Sequence, residues 1–295
     1  MKNILILGGN GFIGRNLVEY LTENRKDYNI DHPSSRILNL LDENKVCGHL
    51  KNKYYDVVIN AAIFNSKRHP ENGGIEIEQD LRMFLNLEKY SDLYGKMFYF
   101  GSGAEFDKTR PIVSAKEGSF VNGIPANQYG LAKYTIGKII ENSNNIYNFR
   151  VFGLFGKYEN WKTTFISGAC CKAIKNLPIT IRQNVYFDYL YIDDFCKIIE
   201  YFIDNTPLFH TYNVTSGKKY DLLSLAAIVK KISGKDLDLI VCKEGLANEY
   251  TASNDRIMSE LGNFDFTDIN DAIKELYDFY SLISDQIDLL SLLYQ

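Results

Sequence analysis

Apolar residues follow two alternating periods through the first half of the chain. Asn3 to Leu7 is a short run rich in branched residues, of a length suited to one buried parallel strand. Gly8-Gly9-Asn10-Gly11 breaks that run before Phe12-Ile13-Gly14-Arg15-Asn16-Leu17-Val18 opens a helical period that continues to Glu23. Tyr28 to Ile30 reads as a short second strand, Glu43 to Leu50 as a helix, and Asp56 to Ala62 as a strand ending in small residues. Ile75 to Tyr94 then reads as a helix and Lys96 to Phe100 as another buried strand. This alternation, sustained to about residue 150, predicts an α/β fold built on a doubly wound parallel sheet. Beyond it the spacing predicts an amphipathic helix up to Lys175 and helices from Asp193 to Asp204, Leu222 to Ile232 and Ile269 to Tyr280. The tail from Ser284 to Gln295 reads as an apolar-periodic helix that packs on the body or on a second subunit. The expected division is a dinucleotide-binding domain over 1–152, to which later elements return, and a smaller C-terminal α/β lobe over 153–295.

A chain of 295 residues with 45% hydrophobic and 24% charged content can bury a full core. Its net charge of −4 gives no basic footprint, which argues against nucleic acid as a partner. Lys51 to Lys53 reads as solvated surface. The five cysteines, Cys47, Cys170, Cys171, Cys196 and Cys242, show no C-x-x-C spacing and read as reduced cytoplasmic thiols. The first strand begins almost at Met1, so no signal peptide is expected, and no apolar run reaches membrane-spanning length.

Candidate chemistry begins at the glycine turn. Gly9, Gly11 and Gly14 fit G-x-G-x-x-G, while Gly8, Gly11 and Gly14 fit G-x-x-G-x-x-G. Either spacing, between a strand and a helix, lets a phosphate approach the backbone and meet the free N–H groups of the helix start. The loop after the second strand should decide the cofactor. Asp31 suits the ribose hydroxyl of NAD, whereas Ser34, Ser35 and Arg36 suit the 2′-phosphate of NADP, and the balance favours NADP with NAD possible. Ser102 lies at the end of a strand between glycines, and Asn127 caps a helix that places Tyr129 and Lys133 on one face. An ammonium beside the phenol would favour the phenolate and bring proton transfer within reach of neutral pH. Ser102 would then bond the same carbonyl or alcohol oxygen that Tyr129 protonates or deprotonates. Asp193 and Asp194 read as acids at a helix N-terminus rather than as metal ligands, and no metal is expected. His69, in the polar stretch from Asn65 to Gly74, has no placed partner.

The glycine turn, Asn60-Ala61-Ala62, Ser102 and the Tyr129/Lys133 pair together resemble the extended short-chain dehydrogenase/reductase superfamily, the NAD-dependent epimerase/dehydratase family that acts on nucleotide-linked sugars. The likeness continues through Arg150 to Gly156, Asp188 to Asp194 and Tyr212 to Gly217, and so spans nearly the whole chain. It implies a Rossmann domain, a nucleotide-diphosphate sugar as substrate, a homodimer and hydride transfer at a sugar carbon. It implies cofactor contacts at Gly8, Asn10, Gly11, Phe12, Ile13, Asn39, Leu40, Ala61, Ala62, Tyr129 and Lys133. Substrate would lie against Ser102, Gly103 and Ala104. Gly103 and Ala104 replace the Asp-Glu pair of sugar 4,6-dehydratases, and Ala104 replaces the cysteine of the GDP-fucose synthase branch, which Leu38 to Asp42 also resembles. What survives is reduction of a 4-keto sugar, with 4-epimerisation on tightly bound NAD and a non-enzymatic dinucleotide sensor as alternatives. Phe187 stands where many relatives carry a pyrophosphate-binding arginine, and Gly153 where many carry an asparagine that contacts the substrate. Arg182 or Arg256 is the expected replacement cation, with a surface role open for each. Trp161 either stacks on a base or sugar or packs in the core.

Overall fold

The computed structural model describes residues 1–64, 76–119 and 123–293; His69 and the polar stretch around it lie outside them. In chain order come β1 (Lys2–Leu7), α1 (Phe12–Asn24), β2 (Tyr28–Asp31), α2 (Glu43–Asn52), β3 (Tyr55–Asn60), α3 (Glu76–Glu88), β4 (Tyr94–Ser102), β5 (Ile112–Ala115), α4 (Gln128–Ile140) and β6 (Ile146–Val151). The second half adds β7 (Gly153–Phe155), α5 (Phe165–Ile174), β8 (Ile179–Asn184), β9 (Tyr186–Tyr191), α6 (Ile192–Asp204), β10 (Thr211–Val214), β11 (Lys219–Asp221), α7 (Leu222–Ser233), β12 (Leu239–Leu246), β13 (Tyr250–Ala252), α8 (Asp255–Leu261), α9 (Ile269–Leu282) and α10 (Leu289–Leu293). These elements divide into two compact units, one of Met1–Lys108, Lys116–Val151 and Cys196–Val214, the other of Thr109–Ala115, Phe152–Phe195 and Thr215–Gln295.

The first unit is built on six strands in the order β10-β6-β4-β3-β1-β2. All its pairings are parallel. Strands covered on both faces read as continuous apolar runs, which is why β1, β3 and β4 were visible in the sequence. On one face Leu5, Leu7, Val58 and Met97 pack with Phe84 of α3 and Ile136 of α4. On the other, Phe149 stacks on Tyr212 at 5.5 Å and meets Phe202 at 5.1 Å. The sheet order reverses at β1, with β2 on one side and β3 on the other, and leaves a crevice beyond their carboxyl ends. The run Ile37 to Asp42 is neither helix nor strand, yet it buries Leu38 and Leu40 in the same core. The helix expected up to Tyr94 ends at Glu88, and Tyr94 already belongs to β4.

A buried ion pair crosses this core. Arg150 sits in β6, where all six residues are buried, and its Nη2 lies 2.7 Å from Glu105 Oε2, with both side chains 1% exposed. Its Nη1 donates to the Glu117 carbonyl at 3.3 Å and to Asn213 Oδ1 at 3.2 Å.

The second unit carries a sheet ordered β11-β9-β13-β5, with β7 added on β9. Its strand β5 has four residues buried only at their ends, which give no legible period in the sequence. The expected amphipathic helix, α5, buries every residue from Ile166 to Ala173, since α7 and α9 both pack on it. Asp188 on β9 accepts from the Ser216 N–H at 2.9 Å, the Ser216 hydroxyl at 2.7 Å and the Gly217 N–H at 2.9 Å. β8 and β12 pair apart as a two-stranded parallel sheet. The tail is not one helix: a 3₁₀ turn over Ser284–Gln286 precedes α10, and Asp288 between them accepts from the N–H of Leu290 and the N–H and hydroxyl of Ser291.

Arg150→Met strands the Glu105 carboxylate in the core and should cost about 3–5 kcal/mol of stability in chemical denaturation. Glu105→Met with Arg150→Met should recover most of it, because two apolar side chains replace two opposite charges. Equal losses in the single and double variants would show that the charges do not depend on each other.

Candidate functional site

The turn after β1 sits at the sheet's switch point and is shaped by lack of space. Gly8 has φ +79°, and a Cβ there would lie 2.7 Å from the Ala61 carbonyl oxygen and 2.8 Å from Ala62 N. A Cβ on Gly14 would be 2.3 Å from the Gly8 oxygen. The Gly11 N–H donates to the Gly8 carbonyl at 2.9 Å and closes the turn. Gly8 and Gly14 are therefore the glycines the backbone requires; a Cβ on Gly11 would meet only the Gly8 oxygen, at 3.3 Å, and one on Gly9 the His32 side chain, at 2.9 Å. No side chain caps the start of α1, so its first N–H groups are available to an anion. Asn10 and Gly11 are exposed there, and Phe12 and Ile13 are half-buried.

The residues expected to choose the cofactor part company. Asp31 accepts from Lys53 Nζ at 2.8 Å and the Tyr55 hydroxyl at 2.7 Å, and Tyr55 in turn lies 3.0 Å from His49 Nε2. Partial burial works to raise the Asp31 pKa, but the bonds from Lys53 and Tyr55 outweigh it and hold the carboxyl below its ordinary range. Lys53, expected as solvated surface, is thus committed to Asp31. Ser35 and Arg36 are exposed, and the Ser34 carbonyl accepts from the N–H groups of Ile37 and Leu38. Asn39 is exposed, while Leu40 places its side chain in the core and its carbonyl accepts from Asn86 at 2.7 Å. Ala61 and Ala62 follow β3 beside Gly8, and the Ala61 N–H donates to the Leu7 carbonyl at 3.0 Å.

Farther along the same sheet edge, Ser102 ends β4 and caps a one-turn 3₁₀ helix, Gly103–Glu105. Its Oγ accepts from the Ala104 N–H at 3.1 Å. On α4, Asn127 Oδ1 accepts from the Gly130 N–H at 2.8 Å, the cap expected from the sequence. That helix brings Tyr129 within reach of Ser102, whose hydroxyl favours the phenolate form. Lys133 is 2% exposed; its Nζ donates to the Phe100 carbonyl at 2.8 Å and lies 4.4 Å from the Tyr99 ring centre.

The ammonium expected beside the phenol is on the same helix and buried. Lys133 Nζ is 5.9 Å from the Tyr129 ring centre and aimed at a carbonyl. Tyr129 as a whole is exposed, but enclosure of its hydroxyl end raises its pKa, and the Ser102 hydroxyl only partly offsets that. Burial also lowers the Lys133 amine to about 8, against the pull of Asp80 and Glu105. Asp80, a buried carboxylate on α3 that accepts from the Phe64 N–H at 2.7 Å, went unnoticed in the sequence, as did Glu105 and Arg150. For Arg150 the available signal was a single charge inside an otherwise apolar run, whereas Asp80 and Glu105 sit among other charges and gave none.

Gly103 and Ala104 are buried. Of the remaining candidates, all in the second unit, Trp161 is half-buried in the turn before α5, Arg182 is exposed on β8, and Arg256 is half-buried in the first turn of α8. Phe187 packs on Tyr189 and Tyr250 at 5.5 Å each. Among the described residues no cluster of His, Cys, Asp or Glu could hold a metal ion, and no helix is long and apolar enough to cross a membrane.

A parallel sheet with a glycine turn at its switch point, followed by a serine, tyrosine and lysine on one edge, is the architecture of a dinucleotide-binding enzyme fold. The profile of the NAD dependent epimerase/dehydratase family matches residues 4–215, and the chain belongs to that family. Over 312 aligned residues it is 24% identical to the GDP-L-colitose synthase of Yersinia pseudotuberculosis, covering 94% of this chain and 97% of that one. Its fold matches the GDP-mannoheptose C4 reductase of Campylobacter jejuni, solved with NADP bound, at a TM-score of 0.79, 19% identity and coverage of 95% and 98%. The NADP-bound GDP-L-fucose synthetase of Naegleria fowleri superposes at a TM-score of 0.84, with 16% identity and coverage of 97% and 94%.

The Lys133 shift has a sign that can be tested. Its folded pKa of about 8 lies below the unfolded value of about 10.4, so between these limits the unfolded chain holds the extra proton and stability rises with pH. Relative to Lys133→Met, the cofactor-free parent should gain about 3 kcal/mol across that window in denaturation series. Parallel pH profiles would refute the depressed amine.

Proposed function

We propose that this chain reduces the 4-keto group of a nucleotide-activated deoxy sugar with NADPH. The observation that carries this reading is that Ser102 at the end of β4 and Tyr129 on α4 come together at the carboxyl edge of a dinucleotide-type sheet, beside buried Lys133, with the Tyr129 pKa raised above its ordinary value. A protonated tyrosine is a ready acid for the oxygen of a ketone, as reduction requires.

Gly8, Gly11 and the open start of α1 fit the pyrophosphate of a dinucleotide, because the turn has no room for side chains and offers free N–H groups. The commitment of Asp31 to Lys53 and Tyr55 leaves exposed Arg36, with Ser34 and Ser35, to take a 2′-phosphate, which favours NADP over NAD. When bound, the reduced nicotinamide supplies the hydride. Ser102 orients the substrate oxygen, Tyr129 gives it a proton, and Lys133 stabilises the phenolate left behind. Elimination of water is disfavoured, since Gly103 and Ala104 have no proton to move and the neighbouring Glu105 carboxylate is bound to Arg150. The relatives' GDP-linked names make a GDP-linked 4-keto sugar the first compound to test, with Trp161, Arg182 and Arg256 as candidate contacts in the second unit. The reading extends to a cytoplasmic homodimer in surface-polysaccharide assembly, in keeping with relatives named as a GDP-L-colitose synthase and a GDP-mannoheptose C4 reductase.

Incubation with GDP-linked 4-keto sugars should consume NADPH and yield the C4 alcohol; retention of tightly bound NAD with no net reductant use would indicate epimerisation instead. Tyr129→Phe should lower turnover by about 10²-fold or more while NADPH affinity stays near that of the parent. Activity within a fewfold would remove Tyr129 from the mechanism.

Arg36→Ala tests cofactor choice. It should weaken NADPH by about 1–3 kcal/mol and leave NADH nearly unchanged, as measured by fluorescence titration. Equal effects on both cofactors would refute the assignment.

A further inference from the structure

We infer that Glu105 is a positioning residue, which fixes the Ser102 turn against α4 and so sets the serine hydroxyl relative to Tyr129. The inference rests on the reductase reading for its catalytic consequence. Glu105 is fully buried, so it acts through its neighbours. Its Oε1 accepts from the Ser102 N–H at 3.2 Å and from Asn148 Nδ2 at 3.1 Å; its Oε2 accepts from Arg150 Nε at 2.8 Å. With the Ala104 N–H on Ser102 Oγ, these bonds form a reciprocal cap that fixes the serine backbone and side chain together.

The same carboxylate meets α4 through glycines. A Cβ on Gly137 would lie 2.8 Å from Glu105 Oε2, and a Cβ on Gly130 would lie 2.6 Å from the Ala104 carbonyl oxygen. Gly130 and Gly137 stand two turns apart on one helix face, and Lys133 lies between them, on the helix that carries Tyr129. A Cβ on Gly101 would likewise collide with Glu105 Oε1. The serine turn and α4 therefore touch backbone to backbone over the carboxylate. An ion pair serving only stability needs neither a bond to the Ser102 N–H nor side-chain-free approaches on both flanks.

Two charge-balanced variants separate positioning from stability. Glu105→Met with Arg150→Met removes both charges and the acceptor for the Ser102 N–H; Glu105→Gln with Arg150→Met removes both charges but keeps an acceptor oxygen. With NADPH and a GDP-linked 4-keto sugar, the Met/Met pair should lose at least about tenfold in kcat, with KM and NADPH affinity within about twofold. The Gln/Met pair should return to within about threefold of the parent. A folded Met/Met protein with kcat within threefold of the parent would overturn the inference. If that protein does not fold, Gly137→Ala decides: it pushes on Oε2 without removing a group, and should lower kcat severalfold with NADPH affinity unchanged, whereas unchanged kcat overturns the proposal. Hydrogen exchange at the Ser102 amide should quicken in Met/Met and not in Gln/Met, with or without substrate. A parent inactive on every 4-keto sugar would sink the reductase reading while this exchange still tests the positioning.

Discussion

A carboxylate with no access to water must be matched on every lone pair, and in this chain the matching of Glu105 organises much of the first unit. Arg150 comes from β6, Asn148 from the same strand, and the Ser102 N–H from the end of β4. Arg150 in turn holds the Glu117 carbonyl and Asn213 on β10. Half the strands of the central sheet are thus tied to one charge, and the apolar faces around it are what make each bond costly to break. Hydrophobic burial alone would tolerate small shifts between β4 and α4. A buried ionic network tolerates them less, because a displacement weakens several bonds to one charge at once.

The fold was legible wherever strands were covered on both faces. β1, β3 and β4 announced themselves as apolar runs closed by glycine or small residues, and the turn at Gly8 followed from the same punctuation. Elements whose partners lie far away in sequence were not legible. β5 gains its place from β13, well over a hundred residues later, and α5 is buried all round because α7 and α9 cover it. The site divided in the same way. Ser102, Tyr129 and Lys133 could be read from local spacing, since a strand end and a helix face are local objects. The fate of Asp31 could not, because it depends on a lysine 22 residues on and a tyrosine 24 residues on, brought alongside by sheet pairing.

Tyr129 and Lys133 show one physical cause with two opposite results. Low dielectric disfavours charge on either group, so burial raises the phenol and lowers the amine. The lysine spends its hydrogen bond on the Phe100 carbonyl, and the nearby charges of Asp80 and Glu105 support its proton while opposing ionisation of the phenol. The two carboxylates therefore favour the protonated form of both groups, with desolvation the larger influence on each. On the proposed reading that is the form a reductase needs before it meets a ketone. An enzyme that began by oxidising an alcohol would have to overcome both carboxylates before its tyrosine could accept a proton.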